Sequence, residues 1–158
     1  MMDFPDLDGF VRHLSTLSDQ LLLNQHSALQ HVGQELEKDV KATYGNTQVD
    51  WQAYAPSTLM RRHELGHPDN EMLLMEGPLR ESVSHTVDET KVVVGATSEY
   101  ATAHEFGKEK IPARPVFSKV GYWNTKHIRD FMHYVSAKSI ASQPIDVNEF
   151  VNVGSVGT

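Results

Sequence analysis

Hydrophobic residues recur at helical spacing along the N-terminal part of the chain. The repeating positions are Phe10, Leu14, Leu17 and Leu21, followed by Ala28, Val32, Leu36 and Val40. Polar residues fill the positions between them, so the pattern predicts one long amphipathic helix over residues 8–43. This helix either runs unbroken, divides near Asn24, or loosens at Gly33, where glycine costs about 1 kcal/mol relative to alanine. Its apolar stripe either covers the core or packs against a partner helix.

The next segment, residues 51–78, has no regular period and is interrupted by prolines and glycines. It follows a turn signal at 44–47 that ends the first helix. We expect a long irregular connection with one short helix, capped by Ser57 and running through Met60 and Arg61. Connections of this length within a compact domain are usually functional or mobile.

From residue 82 onward, polar and larger side chains alternate with a period of two. Val83, His85 and Val87 alternate with small polar residues, and a second run of valines at 91–94 follows the polar turn 88–90. This pattern predicts a β-hairpin whose valines face the core. A short helix is expected over Tyr100–Phe106, a further strand over 115–120 and a second amphipathic helix over 122–140.

These elements predict an α+β fold, with a long N-terminal helix and a C-terminal helix packed on a small antiparallel β-sheet. Residues 1–140 are expected to form a single domain. The polar residues 141–158 are expected to form a loose tail or an edge strand. A chain of 158 residues is long enough to bury a substantial core.

Composition narrows the possible functions. The chain has no cysteine, which excludes disulfides and thiolate chemistry. Its first residues are acidic and lack an apolar signal core, and its longest apolar runs are too short to span a bilayer. We therefore expect a protein made and kept in a reducing cytoplasm, without membrane contact.

Charge is unevenly distributed within the net charge of −7. Residues 1–50 hold eight acids and three bases, whereas 108–119 hold four bases and only Glu109 as an acid. A general nucleic-acid binder would need a broad basic face, which this distribution does not provide. It does allow contacts in which an acidic patch on one copy meets a basic loop on the next.

The segment 63–67 reads His-Glu-Leu-Gly-His and matches a zinc-protease signature. That chemistry needs both histidines on one helix face, with the glutamate as general base toward a metal-bound water. Pro68 disfavours helical backbone at His67, and Gly66 weakens the same turn. A solvated polar loop is the favoured interpretation, and the zinc hydrolase remains the alternative function.

The dipeptide His104-Glu105 has no second histidine four residues on, because Lys108 stands there. It does not form a metal-binding pair, and we expect His104 to make a local hydrogen bond that holds the short helix. The sequence contains no nucleophile elbow and no glycine-rich phosphate loop. It therefore predicts no enzyme activity, no cofactor and no metal.

Four ordered segments resemble the tail-completion and virion-morphogenesis proteins of tailed bacteriophages. They are Trp51-x-x-Tyr-Ala-Pro-Ser-Thr-Leu-x-Arg61-Arg62, then Leu73 to Ser82 with Gly-Pro-Leu-Arg at its centre, then the stretch from Val92 through Tyr100-Ala-x-x-His104-Glu-Phe106-Gly107, and Ile111-Pro-Ala-Arg114-Pro-Val-Phe. The resemblance covers about residues 51–120. It implies a structural protein of the head–tail junction that completes or joins the tail.

The same resemblance implies assembly into a ring, expected to hold six copies, between the head connector and the tail tube or terminator proteins. Genome DNA would only pass through the lumen, and the protein would reside in the virion after assembly in the host cytoplasm. The assembly-interface candidates are Tyr100, His104, Phe106, Arg114, Trp51, Arg61 and Arg62. Two prolines stiffen the loop that carries Arg114, which pairs either with a carboxylate on a neighbouring subunit or with an internal one.

Overall fold

Helices make up most of the computed structural model, which describes residues 6–46, 48, 50–75 and 77–146. The elements are α1 (Leu7–Thr43), α2 (Pro56–Glu64), α3 (Pro78–Glu81), β1 (Val83–Val87), β2 (Val92–Ala96), α4 (Tyr100–Phe106) and α5 (Phe117–Ile140). Strands β1 and β2 form a two-stranded antiparallel sheet on which helices pack, which confirms the predicted α+β class.

Helix α1 is continuous over its 37 residues, with no break at Asn24 or Gly33. The burial of its apolar stripe increases along the helix. Phe10 and Leu14 are exposed, whereas Ala28 and later stripe residues are buried or half-buried. The periodicity therefore predicted the helix correctly, but only its second half covers a core.

Helix α2 confirms the short helix expected within 51–78, but not its start. The helix begins at Pro56 with Ala55 in the capping position, and no side chain caps it. Proline is well suited to the first helical turn, where its missing N–H would have no intrahelical acceptor. The prediction that Ser57 is the cap was wrong.

The strand predicted over 115–120 was also wrong, because Phe117 already belongs to helix α5. The helix predicted from residue 122 thus starts five residues earlier, and its first amides are held by a carboxylate from another element, as described below. At the other end, residues 141–146 contain no strand. The rest of the predicted tail or edge strand, 147–158, lies outside the described residues.

The chain divides into two compact units, the first comprising residues 1–32, 87–92 and 125–158. The described part of this unit buries Ala28, Leu29 and Val32 of α1, and Phe131 and Val135 of α5. The Asn24 amide donates to the Ser139 hydroxyl at 2.9 Å, and that hydroxyl donates to the Val135 carbonyl at 2.7 Å. A buried polar link thus accompanies the apolar contact between the two helices.

The second unit comprises residues 33–86 and 93–124. Its buried cluster is drawn from helices α1 and α5, strand β1 and the irregular connections, and consists of Val40, Tyr44, Trp51, Met72, Leu73, Val83, Val116 and Val120. Val94 of β2 packs against this cluster, so Val83 and Val94 face the core as predicted, whereas Val93 is exposed. This unit contains all seven interface candidates.

Candidate assembly surface

The ring of Tyr54 is enclosed by two arginines that the sequence motifs contain. The guanidinium carbon of Arg62 lies 5.2 Å from the ring centroid, and that of Arg114 lies 5.1 Å from it. The Tyr54 hydroxyl accepts a hydrogen bond from the Leu73 amide at 2.8 Å. Both arginines are buried, so the aromatic ring and nearby carbonyl oxygens replace the water that their charges lose.

Arg62 organises the loop that follows helix α2. Its Nη2 donates to the carbonyl oxygens of Pro68 at 2.6 Å and Glu71 at 3.0 Å, and its Nη1 donates to that of Leu74 at 3.1 Å. A guanidinium has five N–H donors in a fixed plane, so one side chain can satisfy several carbonyls of a loop. The structure places this interface candidate inside its own chain, only 3% exposed.

Arg114 is likewise turned inward. Its Nε and Nη2 donate to the backbone carbonyl of Gln52 at 3.2 and 2.8 Å, and its side chain is 4% exposed. The acceptor is a carbonyl rather than either of the carboxylates that the sequence suggested. The Arg114 backbone N–H also donates to the His104 carbonyl at 2.6 Å, which ties the loop to helix α4.

Gly107 ends helix α4 with φ +76° and ψ 158°, a region open essentially only to glycine. An added Cβ would lie 3.0 Å from the Ala113 nitrogen and 3.1 Å from the Ile111 oxygen. The chain then closes a tight turn, in which Lys108 and Ile111 form an isolated antiparallel bridge.

Glu105 has a role that the sequence patterns did not predict. Its carboxylate is 9% exposed and accepts from the amides of Val116 at 2.7 Å, Phe117 at 3.1 Å and Ser118 at 2.8 Å, and from the Ser118 hydroxyl. Burial alone would raise the pKa of Glu105, but the hydrogen bonds from Ser118, Val116 and Phe117 outweigh it, so the pKa lies below its usual value.

This carboxylate is the N-terminal cap of helix α5, supplied from helix α4. Helix N-termini leave amides unsatisfied, and Ser, Thr, Asp or Asn usually precedes the first turn. Here Val116 stands in that position. The missing cap residue was the signal that could have pointed to an acid elsewhere in the chain.

His104 is half-buried beside Arg114. Burial, and then the Arg114 charge, lower the pKa of its imidazole. Its Nδ1 is buried without a hydrogen-bond partner among the described residues, and its backbone carbonyl accepts from Arg114 rather than from a neighbour within the short helix.

The remaining candidates are divided between core and surface. Trp51 is buried, while Arg61 is exposed and Tyr100 and Phe106 of helix α4 are 63% and 75% exposed. The structure adds an exposed aromatic pair in the first half of α5 that is not among the predicted interface candidates. These are Tyr122, 81% exposed, and Trp123, 55% exposed.

Lys119 lies between two tryptophan rings. Its Nζ is 5.8 Å from the ring centroid of Trp51 and 5.8 Å from that of Trp123, and it pairs with the Asp50 carboxylate. Two of the four bases in the predicted basic loop, Arg114 and Lys119, therefore make their contacts within the protein. The exposed positive charge of that loop is therefore limited to Lys108 and Lys110.

The zinc-protease signature does not form its helix. Helix α2 ends at Glu64, and Gly66 adopts φ +75°, so His67 lies beyond the helical turn that the chemistry needs. The His63 imidazole instead contacts the Asp69 carboxylate at 3.0 Å. Within the described residues, no three histidine or acidic side chains are grouped closely enough to hold a metal ion.

Comparison with protein families decides the class of this chain. Residues 6–134 match the model of the phage virion morphogenesis family, which covers more than half of the 158 residues. The chain belongs to this family. Neither the curated proteins nor the solved structures provide a match.

The phage virion morphogenesis family is a structural and assembly family, so this member is a phage structural protein that takes part in building the virion. The suspected relationship is confirmed, and it extends over α1 and most of α5 as well as the four motifs. In the described part of the chain, no helix is both long and apolar enough to cross a membrane.

Proposed function

We propose that this protein completes the tail at the head–tail junction of the virion and acts without catalysis. The family match over residues 6–134 is the observation that carries the proposal. Its partners in this proposal are further copies of itself in a ring of six, the head connector, and the tail tube or terminator proteins. Genome DNA passes through the lumen.

The contact chemistry of the second unit supports an assembly role. Its buried polar groups hold loops and helix ends in place, as Arg62, Arg114 and Glu105 do, and thereby fix the surface before any partner arrives. Preorganisation of this kind lowers the entropy cost of association. Exposed Tyr100 and Phe106 then provide the large amphipathic or apolar side chains that interfaces favour.

The zinc hydrolase is a poorer account of the same chain. His63 is on the last turn of α2 and engages Asp69, and His67 follows a left-handed glycine. A pair of histidines in this arrangement does not give the single helix face that zinc-protease chemistry uses.

The proposal is tested by supplying the protein from a plasmid to a phage that lacks it. Tyr100→Ala/Phe106→Ala should lower the yield of infectious particles at least about tenfold, since each truncation removes a candidate anchor. Ile140→Ala, an exposed apolar residue at the end of α5, serves as the control and should give wild-type yield. Electron microscopy of the defective lysate should show filled heads separate from tails.

Localisation provides the second arm of the test. A tag on the functional protein should appear at the junction in electron micrographs of intact particles. A label confined to the distal tail or the head shell would overturn the junction assignment, even if the family role in morphogenesis held.

A further inference from the structure

A cleft of about 400 Å³ opens between the C-terminal part of helix α1, helix α3 and strand β1. Neither the sequence motifs nor the proposed junction role assigns it a purpose. Its charged lining consists of Glu37, Lys38, Lys41, Arg80 and His85.

The inner part of the cleft is a fixed hydrogen-bonded network. One oxygen of Glu37 accepts from Lys41 Nζ at 2.5 Å, and the other contacts His85 Nδ1 at 2.5 Å. Hydrogen bonds with Lys41, and then with His85, hold the pKa of Glu37 below its usual value. The carboxylate is therefore ionised, and His85 Nδ1 carries the proton in this contact.

The rim of the cleft carries cations that this network does not neutralise. Lys38 and Arg80 are both exposed, and Lys38 makes only an exposed 3.7 Å contact with Glu35, a kind of pair that contributes little. The lining has three permanent cations, Lys38, Lys41 and Arg80, against the single carboxylate of Glu37, an excess of two positive charges in a protein of net charge −7. Such a site suits an oxyanion, which an arginine can bind with two parallel hydrogen bonds.

A surface of opposite charge is present on the first half of α1. Residues 7–23 expose two acids, Asp8 and Asp19, and one base, Arg12, for a net charge of −1, together with a set of large apolar side chains. These are Leu7, Phe10, Val11, Leu14, Leu21, Leu22 and Leu23. An exposed apolar patch of this extent marks an interaction surface, and the net charge of the segment is opposite in sign to that of the cleft. Because Arg12 lies one helical turn from Asp8, Asp19 is the acid with no base nearby on this part of the helix.

We propose that the cleft of one copy binds carboxylates on the first half of α1 of a second copy. Because the contact joins two different surfaces, each copy can accept one neighbour and offer itself to another, as ring closure requires. The inference rests on the self-association included in the proposed function and specifies its contact. Duplex DNA is the less suitable anion, because a strongly acidic protein with one compact cationic cleft lacks the broad basic face that phosphate tracking needs.

The test uses two charge-reversed variants. Lys38→Glu/Arg80→Glu reverses the rim without touching the Glu37 network, and Asp8→Lys/Asp19→Lys reverses the helix. Sedimentation equilibrium at low and high salt should show that each variant alone associates about tenfold more weakly than wild type. Lys110→Glu, an exposed charge outside both surfaces, is the matched control, and circular dichroism verifies that all variants are folded.

Mixing the two variants is the decisive step. In a 1:1 mixture every head-to-tail contact again pairs opposite charges, so association should recover although neither variant associates well alone. Unchanged association of both variants, or failure of the mixture to recover, would overturn the proposal. If wild type is monomeric alone, co-expression in the phage complementation assay takes the same role, with recovery of titre supporting the contact and no recovery overturning it.

Two further outcomes distinguish self-association from DNA binding, and the contact between copies from its location in the virion. Loss of binding to a duplex DNA oligonucleotide in Lys38→Glu/Arg80→Glu, with self-association unchanged, would show that the cleft binds phosphate and would overturn the proposal. Recovery in the mixture together with a label away from the junction would keep the contact and remove only the proposed location.

Discussion

Replacing Glu105 with glutamine tests whether the cap of helix α5 is a main source of stability. The carboxylate accepts from three backbone amides and one hydroxyl, divided between its two oxygens. Glutamine keeps one acceptor oxygen and places an NH₂ group, a donor, against the other set of donors. Hydrogen bonds to a charged group contribute about 1.5–3 kcal/mol, so we expect Glu105→Gln to cost about 2–3 kcal/mol.

Thermal unfolding measures this loss directly. For a chain of this size 1 kcal/mol shifts Tm by about 2–4 °C, so Glu105→Gln should unfold about 4–12 °C below wild type. Glu109→Gln, an exposed glutamate in the following turn, is the control and should change Tm by no more than about 2 °C.

The stability contributed by Glu105 should depend on pH in a defined direction. Because the folded pKa of Glu105 is lowered, its contribution is complete above the unfolded value, near 4.5, and is lost as pH falls through the folded pKa. The gap in stability between wild type and Glu105→Gln should therefore be constant near neutral pH and shrink in acid. An unchanged Tm for the variant at pH 7, or a gap that widens in acid, would refute this account of the cap.

Two further predictions concern the loops. Arg62→Met should destabilise the protein by about 3 kcal/mol, because it leaves loop carbonyls without donors, and limited proteolysis should then cut within residues 65–75; an uncut loop would contradict the role assigned to Arg62. Gly107→Ala should cost more in chemical denaturation than Gly66→Ala, since both have positive φ but only Gly107 has backbone atoms where the Cβ would lie. The free energy of unfolding is expected to fall by about 1 kcal/mol for Gly66→Ala and by at least about 2 kcal/mol for Gly107→Ala. Equal losses in the two variants would show that the close backbone contacts at Gly107 do not contribute.

Local patterns predicted the elements that depend on local forces. Helix α4 and the hairpin were found because residues close in the sequence carry the whole signal, such as the alternation around Val83. The start of α5 was missed because its cap, Glu105, lies more than ten residues upstream on another helix. A pattern read within one window cannot contain that contact.

In the candidate site, too, local features could be predicted from the sequence whereas tertiary contacts could not. Surface aromatics such as Tyr100 could be identified from an exposed motif, but the burial of Arg62 and Arg114 depends on tertiary structure. Their partners are backbone carbonyls, which every residue has and no sequence pattern distinguishes. Tyr54, which lies between them, was recognised only as part of the motif.

The location of Trp51 and Trp123, whose rings both lie near Lys119, determines what tryptophan fluorescence can report. These are the only two tryptophans in the chain, and both belong to the second compact unit. Intrinsic fluorescence therefore reports the melting of that unit, whereas far-ultraviolet dichroism reports helices of both. Superimposable curves from the two signals would establish a single cooperative transition, and a fluorescence change at a different denaturant concentration would reveal that one unit unfolds before the other.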